Sequence, residues 1–289
     1  MPIHDQGYRR YGGQRAARGQ SWLVIARAGI RTFLSKRVFL GFLLAGWLLF
    51  LYESIKSYFA INVPQTANLP PVGQSLLAIN AETFRDMIDS RFINLVVFII
   101  TVYVGAGLIS NDRRANALQI YLSKPLTRVE YVFGKLAILV AFLLFVTWVP
   151  AVALLIVQVV FAGSFTFLTH NLFLMPAITV FAFVKVLAIA LAMLALSSLS
   201  NSSRYVGILY TALIFFSSAV YGVLTLVTRS TSMSWVSFSA NLSQLGDVIF
   251  RLPRQYDTPW PVSALVVVAI GAVSVLILER RVRGVEVVS

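Results

Sequence analysis

The stretch LFLMPAITVFAFVKVLAIALAMLALSSLS, residues 172–200, carries one charged side chain in twenty-nine positions, Lys185. A bilayer's hydrocarbon core is about 30 Å thick and takes about 20 apolar residues at about 1.5 Å each, so this run crosses it with length to spare. Working outward from it, five more runs of the same kind are bounded by charge or turn residues, at roughly 38–57, 92–110, 129–162, 205–228 and 261–278. The fold class that follows is an all-α integral membrane protein with six transmembrane helices. Composition agrees: of 289 residues 58% are hydrophobic and 12% charged, with a mean hydropathy of +0.81, too apolar for a water-soluble domain.

Charge fixes the orientation expected of those spans. Lys and Arg number 24 against 11 Asp and Glu, an excess that in a soluble protein would point to nucleic acid. Here it belongs to the membrane flanks, where it sets topology and meets anionic headgroups, so the bilayer is the partner and no nucleic acid is expected. The segment before the first span, those between spans two and three and between four and five, and the C-terminal segment hold seventeen Lys and Arg; the three alternate loops hold six. Both termini are therefore expected in the cytoplasm, with the chain in a bacterial inner membrane.

Residues 1–20, with Arg9, Arg10, Arg15 and Arg18, precede no short apolar core with a cleavage site, and read as a flexible basic cytoplasmic tail. Residues 21–289 read as one membrane domain. Over 21–36, Trp22, Ile25 or Ala26, Ile30 and Phe33 recur at helical spacing while Arg27 and Arg31 lie four apart, the pattern of an amphipathic helix lying in the cytoplasmic interface. Thr127 followed by Glu130 has capping-box spacing for the start of the third span, and Thr258 before Pro259 is placed to cap the sixth. Asn80 is placed to cap a short helix with Phe84, Met87 and Ile88 on one side and Glu82, Arg85 and Asp89 on another; residues 237–251 form a second short helix. Both are expected on the outer face. With no cysteine, and with His4 and His170 lacking a second ligand at metal spacing, no metal is expected.

The segment from Gly105 to Lys135, GAGLISNDRRANALQIYLSKPLTRVEYVFGK, is the longest basic cytoplasmic connection. Asn111 is placed to cap a short helix whose apolar face is Ala115, Leu118, Tyr121 and Leu122, which Pro125 ends. Two readings are open on these residues alone: a rigid knob that docks a moving partner, or an interfacial loop that snorkels its basic residues into headgroups.

The same string resembles the ABC-2 type permease family. The resemblance is carried by Gly105, Gly107, Asp112, Leu118, the run Leu122-Ser123-Lys124-Pro125-Leu126-Thr127-Arg128, and Gly134-Lys135. The family often has Glu and Gly-Thr-Leu where this chain has Asp112 and Asn116-Ala117-Leu118. An elbow helix before the first span, a small polar turn at 197–204 and a short outer helix before the sixth span fit the same family. The resemblance implies a permease subunit of an ATP-driven exporter. Its coupling helix would receive work from two separate ATP-binding subunits through Asp112, Arg113, Arg114, Leu118, Tyr121, Lys124, Pro125 and Arg128. It also implies a second permease, a copy of this chain or a homologue. No Gly-x-x-x-x-Gly-Lys-(Ser/Thr) occurs, so ATP and Mg are expected on the partners, and the chain itself is expected to be neither an enzyme nor a holder of any cofactor.

Lys185 lies about 16 to 18 Å from either end of its span at 1.5 Å per residue, and a cation there costs about 2.5 to 3.5 kcal/mol unless it faces protein or water. It is read either as a cavity residue in the substrate pathway that attracts an anionic headgroup or anchors a permease contact, or as a lysine that snorkels or bonds to carbonyls freed near Pro176. No carboxylate is expected at its depth. A secondary transporter or channel would need intramembrane carboxylates or an inverted repeat. A non-transporting membrane scaffold for an ATPase would have this same pattern.

Overall fold

The structure, a computed structural model, describes residues 21–62, 79–117, 127–163, 167, 169 and 171–282. Its helices are α1 (Ser21–Leu34), α2 (Arg37–Ala45), α3 (Leu48–Asn62), α4 (Ala81–Asp89), α5 (Arg91–Ile100), α6 (Ala106–Arg114), α7 (Arg128–Val146), α8 (Trp148–Ala162), α9 (Leu174–Leu199), α10 (Ser203–Thr211), α11 (Ser217–Thr228), α12 (Phe238–Ile249) and α13 (Trp260–Arg281). Joined end to end, they make six helices long and apolar enough to cross a membrane: Arg37–Asn62, Ala81–Arg114, Arg128–Ala162, Leu174–Leu199, Ser203–Thr228 and Trp260–Arg281.

Only the fourth and sixth spans are single unbroken helices, and the breaks in the others have local causes. In the third span Pro150 has no N–H to return to Val146, so the ladder lapses at Thr147. The Thr147 hydroxyl donates back to the Leu143 carbonyl at 2.7 Å. In the second span Ser90 leaves helical geometry and its hydroxyl accepts from the Ile93 N–H at 3.3 Å, ending α4 and starting α5. Five-residue π-helical segments, Thr101–Gly105 and Ala212–Phe216, interrupt the second and fifth spans.

The fourth span is the axis of the bundle. Sixteen of its residues are buried, and it packs on α6, α7, α8, α10, α12 and α13. The fifth span lies outermost, with Val206 and Tyr210 its only buried described residues. Two cores result. One, at the end that carries Asp112, gathers around Phe39, Tyr131, Leu139 and Met193, with Phe39 and Phe142 edge to face at 4.7 Å. The other, at the end that carries Asn80, packs Phe84, Met87 and Ile88 against Leu154, Ile178, Phe181 and Phe250.

Helix α1 uses the stripe expected from its spacing. Ala26 is buried, and Ile25, Ile30 and Phe33 pack into the first core, while Arg27 and Arg31 stay exposed. The stripe meets the third span at Gly134, where an added Cβ would lie 2.9 Å from Ile25 Cβ and 3.0 Å from the Trp22 carbonyl. Gly134→Val is therefore expected to cost about 1–3 kcal/mol by forcing α1 off the span. A lower melting temperature and easier proteolysis before residue 37 would report it, with Gly41→Ala, where nothing lies within 4 Å, as the silent control.

Several expectations are corrected. The helix capped by Asn80 is no surface helix: it is the buried start of the second span, whose charges Arg85 and Asp89 are only 8% and 7% exposed. The other short helix, α12, buries its polar residues Asn241, Gln244 and Asp247 as well. Asn111 caps nothing, because α6 continues through it to Arg114 and turns at Ala115 and Asn116, the latter at φ 51°. Thr258 does not cap the sixth span; its hydroxyl donates to the Ser232 carbonyl at 2.8 Å, and Pro259 occupies the cap position without a side-chain bond. Residues 1–20 and the expected docking residues Leu118, Tyr121, Lys124 and Pro125 lie outside the described residues.

Candidate functional site

At the Asp112 end, the two roots of the segment between spans two and three are tied together. Asp112 sits in the last turn of α6, and its Oδ2 accepts from the Tyr131 hydroxyl at 2.7 Å and pairs with Lys135 Nζ at 2.7 Å. The second root begins at a reciprocal capping box: the Thr127 hydroxyl accepts from the Glu130 N–H at 3.2 Å, and the Glu130 carboxylate accepts from the Thr127 N–H at 3.0 Å. A third span joins them. The Ser197 hydroxyl accepts from the N–H groups of Ile109 and Ser110, both at 3.1 Å, and donates to the Ala106 carbonyl at 2.9 Å. These bonds pin the fourth span to the backbone of α6 just past the first π-helical segment. Arg113 Nη1 donates to the Ser198 carbonyl, while Arg114 is exposed.

The second constellation is buried toward the opposite end and centres on Lys185. Stopping α4 at Ser90 leaves its last carbonyls without helical partners. The Lys185 ammonium donates to the Ile88 carbonyl at 2.7 Å, to Asp89 Oδ1 at 2.6 Å and to Asn94 Oδ1 at 2.6 Å. Those three bonds exhaust its donors, and the residue is 1% exposed. The expectation of no carboxylate at its depth is overturned by Asp89. The carbonyl it meets belongs to Ile88, not to the turn freed by Pro176. With no donor left for an anionic substrate, Lys185 acts here as the cation that caps a broken helix.

Around that pair the network extends to α12. Asp89 Oδ2 accepts from Ser243 at 2.6 Å, Arg85 Nη2 donates to Ser243 at 2.7 Å, and Arg85 Nε lies 3.1 Å from Asp247 Oδ1. The Asp247 carboxylate is buried and accepts no well-aligned hydrogen bond. Burial raises it from its ordinary 3.8 to about 6, the Arg85 guanidinium pulling it down and the neighbouring Asp89 and Asp86 carboxylates pushing it up. A carboxyl harder to ionise in the fold than in the unfolded chain lowers stability once ionised, and that loss grows as pH rises from about 4 through about 6. The protein is therefore expected to melt higher at pH 5 than at pH 7.5, and Asp247→Asn to flatten that step in a melting series across pH.

Sequence reading misses Asp89 and Asn94 as partners of the buried lysine, and Arg85, Ser243 and Asp247 as the network behind Asp89. Arg85 and Asp89 are four apart, which marks one helix face, but sequence alone assigns that face to water. The signal that could have found them is Lys185 itself, since a fully buried ammonium requires a carboxylate or several carbonyls.

Between the second and fifth spans runs a groove of about 770 Å³, lined on one side by Tyr103, Gly107 and Asn111 and on the other by Arg204, Ile208 and Phe215. Both π-helical segments contribute to its walls. Of the remaining residues singled out from the sequence, Trp22 is half-buried, Arg27 and Arg31 face away from the bundle, and Arg128 opens onto a separate groove beside Glu279.

A search among curated proteins found no match. The family model described as ABC-2 family transporter protein matches residues 23–248, from α1 to the end of α12, and so takes in the Asp112 anchor, the Lys185 network and the groove. A match over that much of the chain places it in the ABC-2 transporter family, as a multi-pass membrane protein and the permease component of an ABC transporter, the subunit type that associates with ABC ATP-binding subunits.

Proposed function

We propose that this permease is half of the translocation unit of an exporter in a bacterial inner membrane, with the Asp112 end in the cytoplasm and a second permease, a copy or a homologue, facing it. Two ATP-binding subunits, which carry the ATP and Mg, dock on the segment between spans two and three, through Arg114 and the stretch that includes Leu118, Tyr121, Lys124 and Pro125. Helix α1 lies along the same membrane face with Arg27 and Arg31 turned outward.

The observation that carries this reading is the anchoring of that segment. Asp112 ties span two to span three and Arg113 ties it to span four, so a force applied between residues 114 and 127 moves three spans together. Span five takes no part in these ties, and the groove lies between it and span two. A push that moves span two relative to span five widens or closes that groove, which makes it the candidate pathway in place of Lys185.

Arg114 tests the docking surface, because it is exposed and makes no ion pair with a described residue. Arg114→Glu is expected to reduce co-purification of the ATP-binding subunit by about tenfold, a charge reversal at an interface rim being worth about 1.4 kcal/mol or more. The melting temperature of the permease should not change. Undiminished co-purification overturns the assignment of this segment.

A further inference from the structure

A second groove, of about 480 Å³, lies at the Asp112 end between α7, α9 and α13. Its floor is apolar, formed among others by Leu136, Leu191, Val275 and Leu278. Among the described residues its mouth holds one charge of each sign: Arg128, the first residue of α7, and Glu279, in the last turn of α13. Both are exposed, and neither makes an ion pair with the other or with any described residue. Two opposite charges on the walls of one groove would ordinarily close on each other. Here they stand apart over a greasy floor, and each has the wrong sign for the dipole of its own helix end. Glu130, in the same turn as Arg128, directs its carboxylate to the N–H and hydroxyl of Thr127 and forms no ion pair with that arginine.

We propose that this groove binds a zwitterionic phospholipid with a primary amine, a phosphatidylethanolamine. Arg128 receives the phosphate, Glu279 receives the ammonium, and the apolar floor takes part of an acyl chain. The pairing selects among lipids. An anionic headgroup would satisfy Arg128 and leave Glu279 facing a negative charge, whereas a choline headgroup has no N–H to donate to the carboxylate. The exposed Arg27 and Arg31 of α1 have no acid opposite them among the described residues, so that surface attracts negative charge without such selection. Arg128 then belongs to a lipid site on the bundle's flank, not to the surface that meets the ATPase.

The full-length protein, purified in detergent, is incubated with vesicles of dioleoyl phosphatidylethanolamine, its mono- and dimethyl derivatives, phosphatidylcholine or phosphatidylglycerol, and lipid retention is read by native mass spectrometry. Retention of one ethanolamine lipid per chain is expected, about tenfold above phosphatidylcholine, falling with each added methyl group. Glu279→Gln should abolish the preference, and Leu191→Trp, by filling the floor, should remove the bound lipid altogether. Glu279 has no ion-pair partner among the described residues to lose, so the melting temperature of Glu279→Gln without lipid should match that of the parent chain. Equal retention of the ethanolamine and choline lipids, a preference for phosphatidylglycerol, or a preference that survives Glu279→Gln overturns the proposal.

Discussion

Lys185→Met is expected to destabilise the protein by about 3–5 kcal/mol, because it leaves the Asp89 carboxylate buried without its cation. The loss is local and specific. Asp89 Oδ1, Asn94 Oδ1 and the Ile88 carbonyl each lose a charge-assisted donor. Asp89→Asn is expected to harm stability as well, since it leaves the ammonium buried with only neutral acceptors. The double variant Lys185→Met/Asp89→Asn should melt above Lys185→Met alone, because it removes both charges while Arg85 keeps Asp247 and Asp86. Melting curves of the four proteins in detergent decide it: purely additive losses would mean that the two groups do not act as a pair.

Asp112→Lys is expected to break the connection between the docking segment and the spans. The substitution sets two ammonium groups where a pair at 2.7 Å stood, a change worth about 2–5 kcal/mol at a site with both partners mostly buried. Tyr131 loses its acceptor at the same time. Because the chain contains no cysteine, Asn111→Cys and Arg204→Cys, on the two sides of the larger groove, can carry spin labels with no background from this chain. In the complex with its ATP-binding subunits, the distance between the labels should change on ATP binding. That change should vanish in Asp112→Lys and return in the charge swap Asp112→Lys/Lys135→Asp. A distance change that persists in Asp112→Lys would show that the segment drives the spans by another route.

These two sites are legible in the sequence to different degrees. The Thr127 and Glu130 box is visible because a cap involves residues only three apart. The stripe of α1 is visible because its partner surface demands only apolar side chains at helical spacing. Asn111 misleads for the converse reason. An N-cap contributes about 1 kcal/mol, and Ser197 and Ser198, some 85 residues away, contribute bonds that carry α6 through that position. Hydropathy starts the second span at residue 92 because Arg85, Asp86 and Asp89 make the preceding turns polar. Arg85 and Asp89 enter the bundle because Lys185, Ser243 and Asp247 meet them there, while Asp86 stays partly exposed and paired with Arg85.

The sequence by itself determined the class of the protein, six apolar helices, because transfer of side chains and backbone out of water depends on composition over about 20 residues and hardly on what lies beside them. Its resemblance to the ABC-2 family also marked Asp112, Gly134 and Lys135 as residues of one motif. Only the tertiary structure decided what those residues and Lys185 do. Gly134 admits the backbone of α1, Asp112 and Lys135 join two spans, and Lys185 closes a broken helix. Each of these roles is an interaction between different helices. The energy of a buried charge is set by the partner within about 3 Å, which local composition does not name.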